Sequence, residues 1–126
     1  MKILLAEDDK NITLILQLVL EKMGNHKVTV AENGEIALDK ALSEEFDLIL
    51  LDGMMPKMTG LEVLRAASIR LAAKRPPVIY LSAKTDPKDL QEIKELGAGH
   101  IQKPFDPEKI NQKIEEFMSG VQKAAS

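Results

Sequence analysis

The chain contains no cysteine, which excludes a disulfide framework and any thiolate metal site. No apolar run approaches the roughly 20 residues of a membrane span. The start, MKILLAEDD, offers one lysine and four apolar residues before the first carboxylate, too little for a signal peptide. A soluble, cytoplasmic protein without membrane contact is therefore expected. A basic stripe is also missing: the net charge is −3 and the lysines are scattered, so direct nucleic-acid binding is not expected. What remains is ordinary globular material, with 126 residues, 44% hydrophobic and 29% charged, enough for one domain. That domain is expected over residues 1–120, with 121–126 as a frayed tail.

Apolar runs of strand length recur at Ile3–Ala6, Val28–Ala31, Leu48–Leu51 and Val78–Leu81, with a weaker fifth at His100–Gln102. Runs that are apolar throughout suit strands covered on both faces. Helical spacing fills the intervals. Ile12, Leu16, Val19, Leu20 and Met23 form one apolar arc that Gly24 ends; Ile36, Leu38, Ala41 and Leu42 follow Asn33-Gly34. Thr59 and Glu62 have capping-box spacing, and Asp86-Pro87 and Asp106-Pro107 each pair a capping aspartate with proline at the first helical position. Five β–α units in series imply an α/β fold, a parallel sheet between two layers of helices.

In such a sheet, ligands bind beyond the carboxyl ends of the strands. Glu7, Asp8 and Asp9 follow the first strand, Asp52 the third, Ser82 the fourth, and Lys103-Pro104 the fifth. Singly, each has a plain explanation: Asp9 as a helix cap, Ser82 as a turn residue, Lys103 as solvated surface. Their convergence at one sheet edge argues otherwise. Two carboxylates ~5 Å apart repel by roughly 3 kcal/mol at an effective dielectric of about 20, which a cation relieves. Oxygen ligands with neither histidine nor thiolate suit magnesium, with manganese as the alternative, and magnesium in turn implies a phosphoryl group. No G-x-x-x-x-G-K-[ST] loop is present for a nucleotide. A flavin phosphate would be repelled by Glu7-Asp8-Asp9, and an aspartate-nucleophile phosphatase would need a second aspartate where Met54 stands.

Four stretches, ILLAEDD, LLDGMMPKMTG, IYLSAK and IQKPF, resemble in order and spacing the receiver domain of two-component response regulators, of the single-domain chemotaxis type. The resemblance runs from Lys2 to about Gly120 and implies the flavodoxin-like doubly wound (βα)5 fold, strand order 2-1-3-4-5. It implies that Asp52 accepts a phosphoryl group from a phosphohistidine on a histidine kinase or phosphotransfer protein. Glu7, Asp8, Asp52 and the Met54 backbone carbonyl would hold the metal. Ser82 would be the switch hydroxyl and Lys103 the phosphoryl-pairing lysine. Such a protein is no enzyme beyond its own phosphorylation and slow dephosphorylation. It switches the binding of a downstream protein or relays the phosphoryl group.

Two departures stand out. His100 occupies the place of the family's aromatic switch residue, and the GAGHIQKP segment is one residue short. His100 is either a replacement switch or an idle imidazole. Gly53 leaves access to Asp52 open, with Met54 and Lys84 flanking the water path. On the first helix Leu14 and Leu18 lie off the core arc and are expected to dock the donor protein. The ending GVQKAAS, without an output domain, favours a stand-alone receiver over one excised from a larger regulator. A metal-dependent phosphatase of small substrates is the rival from another class; it lacks a visible second acid–base residue.

Overall fold

The computed structural model describes residues 1–83 and 86–125, without the side chains of 122–125. Lys84, and Ser126 of the tail expected over 121–126, lie outside that description. Five strands form one parallel sheet: β1 Lys2–Ala6, β2 Lys27–Ala31, β3 Leu48–Asp52, β4 Val78–Ser82 and β5 Gly99–Gln102. Their order is β2-β1-β3-β4-β5, so the winding reverses between β1 and β3. In register, Ala6 lies beside Leu51 and Asp52 beside Leu81, which brings the ends of β1, β3 and β4 level.

The apolar runs of β1, β3 and β4 are buried on both faces, whereas Val28 to Val30 of the edge strand β2 are half-buried. Leu4, Ala6, Ile49, Leu51, Val78 and Tyr80 pack beneath the helices α2 (Gly34–Ser43), α3 (Gly60–Leu71) and α4 (Pro87–Glu95). Ile3, Leu5, Leu48, Leu50, Ile79 and Leu81 face α1 (Lys10–Leu18) and α5 (Ile110–Ala125). The helices start where capping chemistry starts them. The Asp9 carboxylate accepts the N–H groups of Asn11 and Ile12 at 2.9 and 3.2 Å. Thr59 and Glu62 close a reciprocal capping box at 3.2 and 3.1 Å, satisfying two otherwise orphaned donors. Asp86 caps Lys88, and Asp106 caps a single 3₁₀ turn that leads into α5.

One core expectation fails. Met23, placed on the buried arc with Ile12, Leu16, Val19 and Leu20, is 64% exposed. After Leu18 the helix widens into a π turn over Val19–Met23. Its i→i+5 bonding advances each residue by less than an α-helix does, so Met23 falls out of phase while Leu16, Val19 and Leu20 stay buried.

Helix α4 is held differently from its neighbours. Ile93 is its one buried residue. Arg65 of α3 grips Glu92 through a two-pronged guanidinium–carboxylate pair, Nη2 to Oε1 at 2.6 Å. Arg75, between α3 and β4, donates to the Leu96 carbonyl at α4's end at 2.7 Å and to the Ser68 hydroxyl at 2.9 Å.

Candidate functional site

The sheet edge where the winding reverses carries the chemistry. Asp52 is the last residue of β3 and Glu7 the first after β1; both are buried, at 4% and 1% exposure, whereas Asp8 is exposed. Oxygens of Glu7, Asp8 and Asp52 lie within 4.8 Å of one another. Lys103, the first residue after β5, reaches over the sheet end and donates to Glu7 Oε1 at 3.0 Å and Asp52 Oδ1 at 3.1 Å. Its backbone N–H is fixed to the Ser82 carbonyl at 3.0 Å, which seats Ser82 and Lys103 side by side. The Met54 N–H donates to Asp52 Oδ1 at 3.3 Å. Asp9 stays out of the cluster as the cap of α1.

One ammonium cannot neutralise two buried carboxylates. Burial is the main cause that pushes Glu7 up to about 8, with the hydrogen bond and charge of Asp52 adding to it and Lys103 opposing. Burial also works against the charge of Lys103, but Glu7 and Asp52 outweigh it, so its pKa is raised. The two acids raise Lys103, and Asp52 adds to the burial that raises Glu7. Glu7 Oε2 is buried without a hydrogen-bond partner among the described residues. An all-oxygen donor set with an orphaned carboxylate oxygen and excess negative charge fits a hard divalent ion.

The backbone here depends on two glycines. A Cβ on Gly60 would lie 2.3 Å from the Asp52 carbonyl, so the first turn of α3 could not otherwise approach the end of β3. Gly53 is buried, and the space it vacates is not the open approach expected from its size. The Tyr80 ring fills it: a Cβ on Gly53 would meet Tyr80 Oη at 2.9 Å. Tyr80 reads in sequence as one more strand residue, and only the register of β3 against β4 reveals its place.

The remaining expected residues are scattered around this edge. Ser82 closes β4 and is buried; the Met54 side chain is 57% exposed. His100, on the edge strand β5, pairs with Tyr80, short of the strand ends where Asp52 and Lys103 meet. Its ring is half-buried, desolvation lowers its pKa, and Nε2 has no partner among the described residues. Leu14 and Leu18 are 66% and 60% exposed on α1, and Ile15, which the periodicity did not single out, is 49% exposed beside them. Ile15 also borders an apolar recess of about 270 Å³ with Ile12, Pro104 and Phe105, which Lys103 lines at one side.

The sequence profile of the response regulator receiver domain matches residues 3–115. The chain belongs to the receiver domain family of two-component response regulators. Among curated relatives, this receiver is 38% identical over 118 residues to the alkaline phosphatase synthesis transcriptional regulatory protein PhoP of Bacillus subtilis, covering 93% of the chain and 48% of that protein. It is 39% identical to the response regulator ArlR of Staphylococcus saprophyticus, covering 93% of the chain and 52% of that protein. The chain thus spans about half the length of the curated relatives it matches. Among solved structures, the chemotaxis response regulator CheY4 of Vibrio cholerae superposes with a TM-score of 0.82 at 34% identity, covering 92% of this chain and 97% of that one. A CheY-like receiver from Methanospirillum hungatei gives 0.84 at 28% identity over 98% and 97%. The flavodoxin-like doubly wound α/β fold expected from the motifs is the fold of this receiver. No helix among the described residues is long and apolar enough to cross a membrane.

Proposed function

We propose that this receiver takes a phosphoryl group from a phosphohistidine donor onto the Asp52 carboxylate, and that the modified form switches the binding of a protein target or passes the group onward. The observation that carries the reading is buried Asp52, 3.1 Å from Lys103 within a three-acid cluster. An Asp52 oxygen attacks phosphorus in line. The O–P bond of an acyl phosphate forms as the N–P bond breaks, and its electron pair stays with the donor imidazole. Lys103 Nζ, already at the site, carries positive charge to the transferring oxygens, where preorganised charge lowers the barrier most. Glu7, Asp8, Asp52 and the Met54 carbonyl would hold a magnesium ion, or manganese, whose charge offsets that of the phosphoryl group. Ser82 supplies a hydroxyl at the end of β4 to the new phosphoryl oxygens, a local charge event that biases the placement of α4. His100, below it in the sheet, would follow that rearrangement. Beyond its own phosphorylation and its reversal the chain catalyses nothing, and its working compartment is the cytoplasm. Acetyl phosphate with magnesium should add one phosphoryl group by intact mass; an unmodified mass at saturating donor would refute the reading.

The donor protein docks on α1. Leu14 and Leu18, with Ile15, form an exposed apolar face beside the recess that leads to Lys103, so a helix seated there brings its histidine to Asp52. Desolvated apolar anchors of this kind commonly carry most of the binding energy. Leu18→Ala should slow phosphotransfer from the cognate donor protein about ten-fold, as loss of one to two kcal/mol of anchoring implies, and leave labelling by acetyl phosphate intact. Equal loss with both donors would assign Leu18 to the fold instead.

A further inference from the structure

We infer that Tyr80 is a positioning residue for phosphoryl transfer: its phenol ring and Gly53 form a size-matched pair that sets where the Asp52 carboxylate stands. The inference rests on Asp52 being the phosphoryl acceptor.

The geometry of the β3 exit supports it. The Asp52–Gly53 backbone is clamped on one side by α3, where Gly60 N–H donates to the Gly53 carbonyl at 3.1 Å and a Gly60 Cβ would strike the Asp52 carbonyl at 2.3 Å. On the other side stands β4. Gly53 N–H donates to the Leu81 carbonyl at 2.8 Å, and the Tyr80 ring lies against the glycine, with Oη, Cε1 and Cζ at 2.9, 3.0 and 3.1 Å from where a Cβ would be. A Cβ at position 53 and the full-sized ring at position 80 fit together only if one of them gives by a few tenths of an ångström. Tyr80 is 6% exposed and packed among core residues of α3 and α4, so it is the rigid partner. An added Cβ at 53 therefore presses on a ring with little room to move, and the strain passes to the backbone that carries the nucleophile.

The hydroxyl also feels the site. Burial first, then the charges of Asp89 and Asp52, push the phenol up to about 12, while the Leu61 N–H at the start of α3 and Arg65 oppose them. The hydroxyl lies against Gly53, the residue next to the nucleophile. Phosphorylation, which adds charge at Asp52, must alter its surroundings.

Four proteins test this: wild type, Gly53→Ala, Tyr80→Leu and the double variant, each checked for folding by circular dichroism and timed for labelling with acetyl phosphate and magnesium. Gly53→Ala should label about ten-fold slower, in line with the cost of a sub-ångström misplacement. Tyr80→Leu should also slow, because the backbone loses its backing. The double variant should recover most of the wild-type rate, a coupling that two independent lesions cannot give. Should Tyr80→Leu fail to fold, Gly53→Ala/Tyr80→Phe makes the same comparison. It lacks Oη, the nearest atom, and must label faster than Gly53→Ala. Tyr80 is the only tyrosine in a chain with no tryptophan, so intrinsic emission reports it alone and should change with the time course of labelling. Wild-type labelling with additive rates in the cycle, a wild-type rate in either single variant, or constant emission through complete labelling would overturn the inference. A wild type that never labels would overturn the proposed function itself.

Discussion

Asparagine in place of Asp52 should abolish labelling by acetyl phosphate and, in metal-free solution, raise the melting temperature. The first effect is chemical: an amide carries no charged oxygen to attack phosphorus. The second follows from crowding. Acid oxygens within 4.8 Å of one another repel by roughly 3 kcal/mol per ionised pair at an effective dielectric of about 20, and Lys103 offsets only part of this. Relieving about 1 kcal/mol corresponds to a gain of about 3–5 °C for a domain of this size. The dependence on pH carries the same signature. The folded chain holds the Glu7 proton to about pH 8, where the unfolded chain releases it near the ordinary 4.5. The stability contributed by that proton is complete below the unfolded value, declines as pH rises, and is gone above about 8. Burial is the larger cause of the shift and Asp52 the next, so Asp52→Asn should flatten the decline without removing it. Thermal melts across this range in a chelator, beside intact-mass labelling, check both effects; a variant that still accepts a phosphoryl group ends the assignment of Asp52.

Loss of Asp8 should be the costliest change for the metal. Asp8→Asn removes a carboxylate from the three-acid cluster and turns it into a neutral amide, and magnesium affinity should fall ten-fold or more, a change of at least 1.4 kcal/mol. Glu7→Gln should differ in form. Below about pH 8 wild-type Glu7 carries a proton that the ion must displace, so wild-type affinity should climb with pH until Glu7 is ionised and then level off. Glu7→Gln should bind weakly throughout, without that climb. Magnesium titrations by calorimetry on either side of pH 8 separate the two acids. Wild-type affinity in both variants would mean that the ion sits elsewhere.

Much of this was readable before any coordinates. Strands buried on both faces announce themselves as unbroken apolar runs, and Asp9, Thr59, Asp86 and Asp106 mark helix starts because their side chains are the local solution to orphaned N–H groups. The acids and Lys103 could be assigned to one edge because parallel strands with helical crossovers must end together. Three things were hidden. The π turn that exposes Met23 leaves the apolar spacing unchanged, since spacing records which residues are apolar and not how far each rotates. His100 sits on the edge strand β5 beside Tyr80, below the strand ends, a matter of register. The pairing of Gly53 with Tyr80 joins residues on neighbouring strands, and local pattern carries no term for that.

Helix α4 buries one side chain, Ile93, and is otherwise tied down by the Arg65–Glu92 fork and by Arg75 at the Leu96 carbonyl. Such a helix is a cooperative unit of its own, able to open while the sheet stays closed. Its amide hydrogens should exchange with solvent deuterium well before those of α5, which is rooted through Ile110 and Ile114. Because an exposed ion pair is screened by salt, that exchange should quicken as ionic strength rises. Charge, more than packing, then decides how often α4 lets go of the domain.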